Sequence, residues 1–157
     1  MKTEYSEFTI KKVRICEPPQ IQSCTDPKVV IELWENGPAT ADWFDEDKEC
    51  LIVFALNTKL KCQGFFLIGL GSLTECAARI SEILRPLCIS NAHSFILAHN
   101  HPSGDPRPSR PDIELTRRLD EASRVMGIIF QDHVIVGKED HICMHNGWFS
   151  FRENGLL

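Results

Sequence analysis

The sequence has no apolar run longer than Cys50 to Leu56, far short of the roughly 20 residues that a membrane-spanning helix requires. Its opening residues, Met1-Lys-Thr-Glu-Tyr-Ser-Glu, are polar and lack the apolar core of a signal peptide. It has no C-x-x-C pair. The seven cysteines, Cys16, Cys24, Cys50, Cys62, Cys76, Cys88 and Cys143, are odd in number and scattered. That pattern reads as reduced thiols, mostly buried as small apolar side chains, and points to a cytoplasmic setting. There is no excess of positive charge either. Lys plus Arg is 17 against 22 for Asp plus Glu, a net charge of -5. This weighs against broad nucleic-acid binding, since phosphate affinity rests on Lys and Arg. No repeat or low-complexity tract appears.

What is present suits one globular domain of 157 residues, with 43% apolar and 25% charged residues. A chain of this length buries about 70% of its unfolded surface and needs no staples. Residues 7–15 alternate partly in the manner of a strand and form an N-terminal extension (1–25) that breaks at Pro18-Pro19. Asp26-Pro27 opens a helix with Val29, Val30 and Leu33 on one face, stopping at Gly37-Pro38. After a polar loop over 38–48, Cys50–Leu56 reads as a buried strand. The turn Asn57-Thr-Lys-Leu and a second strand, Gly64–Leu70, complete a hairpin.

Apolar residues at 77, 80, 84 and 87 predict a helix from Thr74 to about Ile89, with Cys76 and Cys88 in the core and Pro86 ending or kinking it. Ser94–Ala98 is another buried strand. Residues 112–126 form a helix, apolar at 115, 119, 122 and 126, with Gly127 as its C-cap. His133–Val136 and His141–Met144 flank a further hairpin, and Asn146-Gly147 marks a turn. The expected architecture is α/β, with helices packed on one mixed, largely antiparallel sheet.

Chemistry concentrates in F-I-L-A-H-N-H-P-S-G-D-P-R-P-S-R-P-D, Phe95 to Asp112. A period of two places His99 and His101 on one face of a strand end, as two nitrogen ligands to one metal require. Asp112, eleven residues past His101, can return a carboxylate to the same point. Two His and one carboxylate leave a tetrahedral zinc ion an open position for water. The intervening loop holds four of the nine prolines, Pro102, Pro106, Pro108 and Pro111, and its stiffness lowers the entropy cost of presenting Asp112. Ser109-x-x-Asp112 also matches a helix capping box, and capping can coexist with ligation because a capped turn fixes where the Asp points. From this chain's own frequencies, H-x-H-x7-S-x-x-D arises by chance in ~1 of 1,000 such chains. His133, His141 and His145 read as surface or core histidines rather than a second metal site. Arg107, Arg110, Arg117, Arg118 and Arg124 crowd one stretch. The last three suit the solvated side of a helix, paired in part with Asp120 and Glu121, with a phosphate- or substrate-steering patch as the alternative.

These residues resemble a known family. H-x-H-x7-S-x-x-D is the signature of JAMM metalloenzymes, which include zinc isopeptidases. The longer run H-N-H-P-S-G-D-P-x-P-S-x-x-D, with the later E-L-T-R-R-L and D-H-V-I-V-G, is similar to bacterial RadC proteins. The similarity extends from about Asp26 to Gly147, within a domain of residues 26–157. It implies a JAB/MPN domain, a cytidine-deaminase-like α/β/α sandwich. It also implies zinc held by His99, His101 and Asp112, an oxyanion-stabilising role for Ser109, and a general base at Glu49, with Glu46 as fallback. A glutamate before an apolar strand is otherwise a solvated strand edge. Position 98 is Ala and position 111 is Pro, where family members vary; neither disturbs a ligand. His-Asn-His here is not an HNH nuclease, whose three residues are dispersed.

The function that follows is zinc-dependent hydrolysis of amide bonds in a peptide or isopeptide substrate. The alternative is a non-proteolytic RadC-like module linked to DNA repair or recombination through protein or nucleic-acid contacts. The residues before Glu49 are too few for the helix-hairpin-helix of longer RadC proteins, so DNA binding through that region is not carried over. Deamination or phosphoester hydrolysis ranks last, since P-C-x-x-C is absent.

Overall fold

The computed structural model describes residues 23–24, 26–71, 78–138 and 147–157. The strand-like stretch 7–15, the start of the second predicted helix and the strand at 141–144 lie outside these, as do Cys16, Cys76, Cys143, His141 and His145. Helix α1 spans Pro27–Glu35, with Asp26 as its N-cap accepting from the Lys28 N–H and Pro27 at its start. A single 3-10 turn, Pro38–Thr40, opens the following loop. Strands β1 (Cys50–Leu56) and β2 (Cys62–Leu70) form the expected antiparallel hairpin. Helix α2 covers Ile80–Ile89. It continues three residues past Pro86 before ending, so the proline acts one turn short of the helix end. Strand β3 (Ser94–Asn100), helix α3 (Arg110–Met126), strand β4 (Ile129–Val136) and the short strand β5 (Trp148–Ser150) complete the described elements.

The sheet order is β2-β1-β3-β4-β5. Every neighbouring pair is antiparallel except β3 and β4, which run parallel because α3 carries the chain back across the sheet. The mixed, largely antiparallel α/β architecture is thus as the residue pattern implies. Strand β1 is buried along its whole length because each face of the pleat meets a helical layer. Leu51, Val53 and Ala55 join Phe95 and Leu97 under α2 and α3, against Ile83, Leu87, Leu115 and Leu119. Cys50, Ile52, Phe54 and Leu56 join Ile96 and Ala98 under α1, against Val30, Leu33 and Trp34. A side chain's parity on β3 therefore decides which layer it faces.

Two expectations about burial need correction. Cys88 is exposed, because the stripe of α2 that meets the sheet runs through Ile83, Leu84 and Leu87, and the next residue turns about 100° away. Met126 is also exposed, while Ile128, beyond the left-handed Gly127 cap, is buried in its place. The inner stripe of α3 is partly polar instead, passing through Asp112, Thr116 and Ser123. Among the described residues, no helix is long and apolar enough to cross a membrane.

Candidate metal centre

The pleat of β3 directs His99 toward α3, together with Leu97 and Phe95. His101 follows the last strand residue, and its N–H donates to the Val136 carbonyl at 2.9 Å. The two imidazoles meet on one face as their spacing predicts, with Nε2 atoms 3.1 Å apart. Asp112 arrives from the first turn of α3. The Ser109 N–H donates to Asp112 Oδ2 at 2.7 Å, and the Ser109 hydroxyl donates to the same oxygen at 2.5 Å. The Asp112 N–H donates back to Ser109 Oγ at 3.3 Å. The capping box and the aim of the carboxylate are one arrangement. Asp112 Oδ1 lies 3.4 Å from His99 Nε2, and Oδ2 lies 3.6 Å from His101 Nε2.

Glu49, just ahead of β1, brings Oε1 within 3.7 Å of His99 Nε2. Asn100 holds it there from the opposite face of the sheet. Its Oδ1 accepts from the Cys50 N–H at 2.9 Å, and its Nδ2 donates to the Lys48 carbonyl at 3.0 Å. The amide therefore grips the backbone on both sides of Glu49. Glu46 is not part of the cluster: its carboxylate points to Lys138 Nζ at 3.8 Å and is largely exposed.

One ligand atom from each of Glu49, His99, His101 and Asp112 lies within 4.8 Å of every other. A tetrahedral zinc ion with ligand bonds of about 2.0–2.1 Å separates its ligand atoms by roughly 3.3–3.4 Å. The observed spacings of 3.1, 3.4 and 3.6 Å bracket that value. His101 Nδ1 faces the Asp105 carbonyl at 2.7 Å. Since a carbonyl can only accept, the neutral ring turns a bare Nε2 toward the cluster. The donor set is that of a divalent-metal site, and the four residues can hold an ion.

The electrostatics agree. Burial pushes His99 down to about 4, against the opposing pull of Asp112. His101 moves upward, chiefly because the Asp112 carboxylate beside its Nε2 favours the protonated ring, which outweighs its partial burial. Burial alone would raise Asp112, but the protonated forms of the neighbouring His101 and His99 and the Ser109 contacts hold it well below the usual carboxylate range. At neutral pH, Asp112 is therefore a carboxylate and His99 a neutral imidazole, the forms that bind a cation.

Behind the ligands lies a residue assigned on sequence only to surface or core. His133 on β4 is fully buried, and its Nε2 stands 2.9 Å from His99 Nδ1. Its Nδ1 is 2.6 Å from Thr116 Oγ1 on α3, and Thr116 donates to the Asp112 main-chain carbonyl at 2.7 Å. Burial, then the neighbouring His99, holds His133 well below the ordinary histidine value. Phe151 stacks on its ring at 4.6 Å and 14°. The available signal was local. A histidine inside the apolar run of D-H-V-I-V-G is buried, and a buried ring nitrogen needs a partner. Three of the arginines form exposed ion pairs, Arg107 with Asp105, Arg117 with Glu121 and Arg124 with Asp120.

A three-layer sandwich that carries H-x-H at the end of a central strand and S-x-x-D at the start of the following helix is a JAB-type domain. A family model for the RadC-like JAB domain matches residues 25–156, and the chain belongs to that family. It is 42% identical over 113 residues to a UPF0758 protein of Chlorobaculum parvum, covering 72% of this chain and 48% of the relative. A UPF0758 protein of Symbiobacterium thermophilum is 45% identical over 105 residues, 67% and 42% of the two chains. One from Desulforamulus reducens is 37% identical over 134 residues, 84% and 56%. The chain thus spans about half the length of the curated relatives it matches.

Proposed function

We propose that residues 26–157 form a zinc-dependent hydrolase of JAMM type that cleaves amide bonds in a peptide or isopeptide. The observation that carries this reading is the convergence of two imidazole Nε2 atoms, 3.1 Å apart, with the Asp112 carboxylate at 3.4 and 3.6 Å. His99, His101 and Asp112 would hold the ion. Bound there, zinc supplies a Lewis acid and water whose pKa is lowered to about 7. Glu49 stands beside the ligands, its Oε1 3.7 Å from His99 Nε2, and suits a general base. It takes a proton from the attacking water and returns it to the leaving nitrogen. Ser109 first steadies Asp112 through its hydroxyl. In the transition state its role is to donate toward the developing oxyanion, a contact worth about 3–4 kcal/mol.

The test begins with metal content by mass spectrometry on protein purified without a metal-affinity tag. We expect about one zinc per chain, lost in His99→Ala. Glu49→Gln should keep the zinc and lower turnover of any peptide or isopeptide substrate by about 10²–10⁴. Full activity in that variant, with zinc in place, removes Glu49 from the mechanism.

A further inference from the structure

We propose that His133 and Thr116 form a directional hydrogen-bond relay that fixes His99 in the one tautomer able to bind a metal through Nε2. The inference rests on the metal reading above and adds two positioning residues to it. Its polarity can be read from the far end. The Asp112 main-chain carbonyl has no hydrogen to give, so the Thr116 hydroxyl, 2.7 Å away, donates to it. A hydroxyl has one proton, so toward His133 Nδ1, at 2.6 Å, Thr116 can only accept. His133 therefore carries its proton on Nδ1. As a neutral ring it then has a bare Nε2, which faces His99 Nδ1 at 2.9 Å and accepts from it. With its proton on Nδ1, His99 has a free lone pair on Nε2, the atom that faces His101, Asp112 and Glu49.

Reversing any link breaks the chain. A proton on His133 Nε2 would require His99 Nδ1 to be bare and would place the His99 proton on Nε2, where the metal belongs. The same reversal would turn the Thr116 hydroxyl toward His133 and strip the Asp112 carbonyl of its donor. The relay begins on the main chain of the residue whose carboxylate is the third ligand, so one turn of α3 sets both the Asp112 and the His99 arms.

His133 is built to stay in place. The ring is fully buried and stacked on Phe151. Its main-chain N–H donates to Asp132 Oδ1 at 2.8 Å, and Asp132 Oδ2 accepts from the Ser150 hydroxyl at 2.6 Å. Ser150 of β5 and Phe151 thus clamp the relay from behind. Ligand histidines backed in this way commonly lose 10–100-fold in metal affinity when the backing residue is changed.

The experiment uses the full chain loaded with zinc, in three forms: wild type, Thr116→Val and Thr116→Ser. Long-range proton–nitrogen NMR reads the tautomer of each histidine, and competition with a chromophoric chelator reads zinc affinity. In the wild type, His133 should show a protonated Nδ1 and an unprotonated Nε2. Thr116→Val removes the acceptor while keeping the bulk, and should mix the His133 tautomers and weaken zinc binding about tenfold. Thr116→Ser restores the hydroxyl and should restore both readouts. A wild type with its His133 proton on Nε2 overturns the relay, and so does a folded Thr116→Val with unchanged tautomer and affinity. A wild type that takes up no zinc overturns the metal reading and the relay with it, a result distinct from zinc binding that ignores Thr116.

Discussion

His99 and His101 are two residues apart, share one face and aim the same atom at the same point, yet they are held by different parts of the molecule. His101 is supported from close by. Its Nδ1 meets the carbonyl of Asp105, four residues on in a loop stiffened by prolines, and that loop is braced against the end of β4. His99 is supported from 34 residues away by His133, on a neighbouring strand, and through it by Thr116 of α3, Ser150 of β5 and Phe151. One arm is a local device and the other a tertiary one. Rigidity at the candidate site thus comes from two sources, one local and one tertiary.

The sharpest way to separate the arms is to remove each histidine. His99→Ala and His101→Ala should both abolish zinc binding, read as metal content, since each takes away a ligand. Their effects on the fold should differ. His99 is fully buried, and its loss leaves a cavity and a His133 nitrogen without its partner, which costs about 2–4 kcal/mol. His101 is only partly buried and its loss should cost less than about 1 kcal/mol. Urea unfolding of the metal-free proteins measures the gap. Equal destabilisation would mean that the buried arm is no more tightly built than the exposed one.

The same contrast explains what the amino-acid sequence made legible. The convergence of His99, His101 and Asp112, with Ser109 capping the helix that carries Asp112, was legible because the four fall within one local run whose geometry is strand, stiff loop and capped helix. The hairpin of β1 and β2 and the Gly127 cap were readable for the same reason. His133, Thr116 and Asn100 were not, because their roles come from register. Leu97 lies opposite His133 in the parallel pair β3–β4, and no period along the chain reports that pairing. The inner face of α3 was misjudged for a related cause. Apolar spacing selected Met126 and passed over Thr116, although the site draws on the buried hydroxyl.

A second prediction breaks only the local arm. A Cβ at Gly137 would lie 2.4 Å from the Gly104 carbonyl and 2.9 Å from Pro106 Cδ, so the loop that holds His101 packs on a bare Cα. Lys138 also donates its N–H to the Gly104 carbonyl at 2.8 Å, tying the two segments together. Gly137→Ala must push the loop outward. We expect a loss of about 1–3 kcal/mol in stability and about a tenfold loss in zinc affinity. The NMR signal of the His133 Nδ1 proton should persist, because its partners lie on the other arm. A lost His133 signal in a folded Gly137→Ala protein would show that the arms are coupled.

The gentlest test changes nothing but pH. Protons and the metal compete for the two Nε2 atoms, and the arms place their protons in different ranges. His101 is raised above its ordinary value of 6.5 by Asp112, so below that raised point one proton must leave for each ion bound. Apparent zinc affinity should then fall about tenfold per pH unit, and above that point His101 imposes no dependence. His99 is held down to about 4 by burial, so a second proton enters the balance only there and the slope steepens toward two. Asp112, held lower still, contributes nothing over this span. Chelator competition from pH 8 to 4 reads the slope directly. A slope of two already near pH 6 would mean that both imidazoles take up protons together, which would remove the distinction between a solvent-facing arm and a buried one.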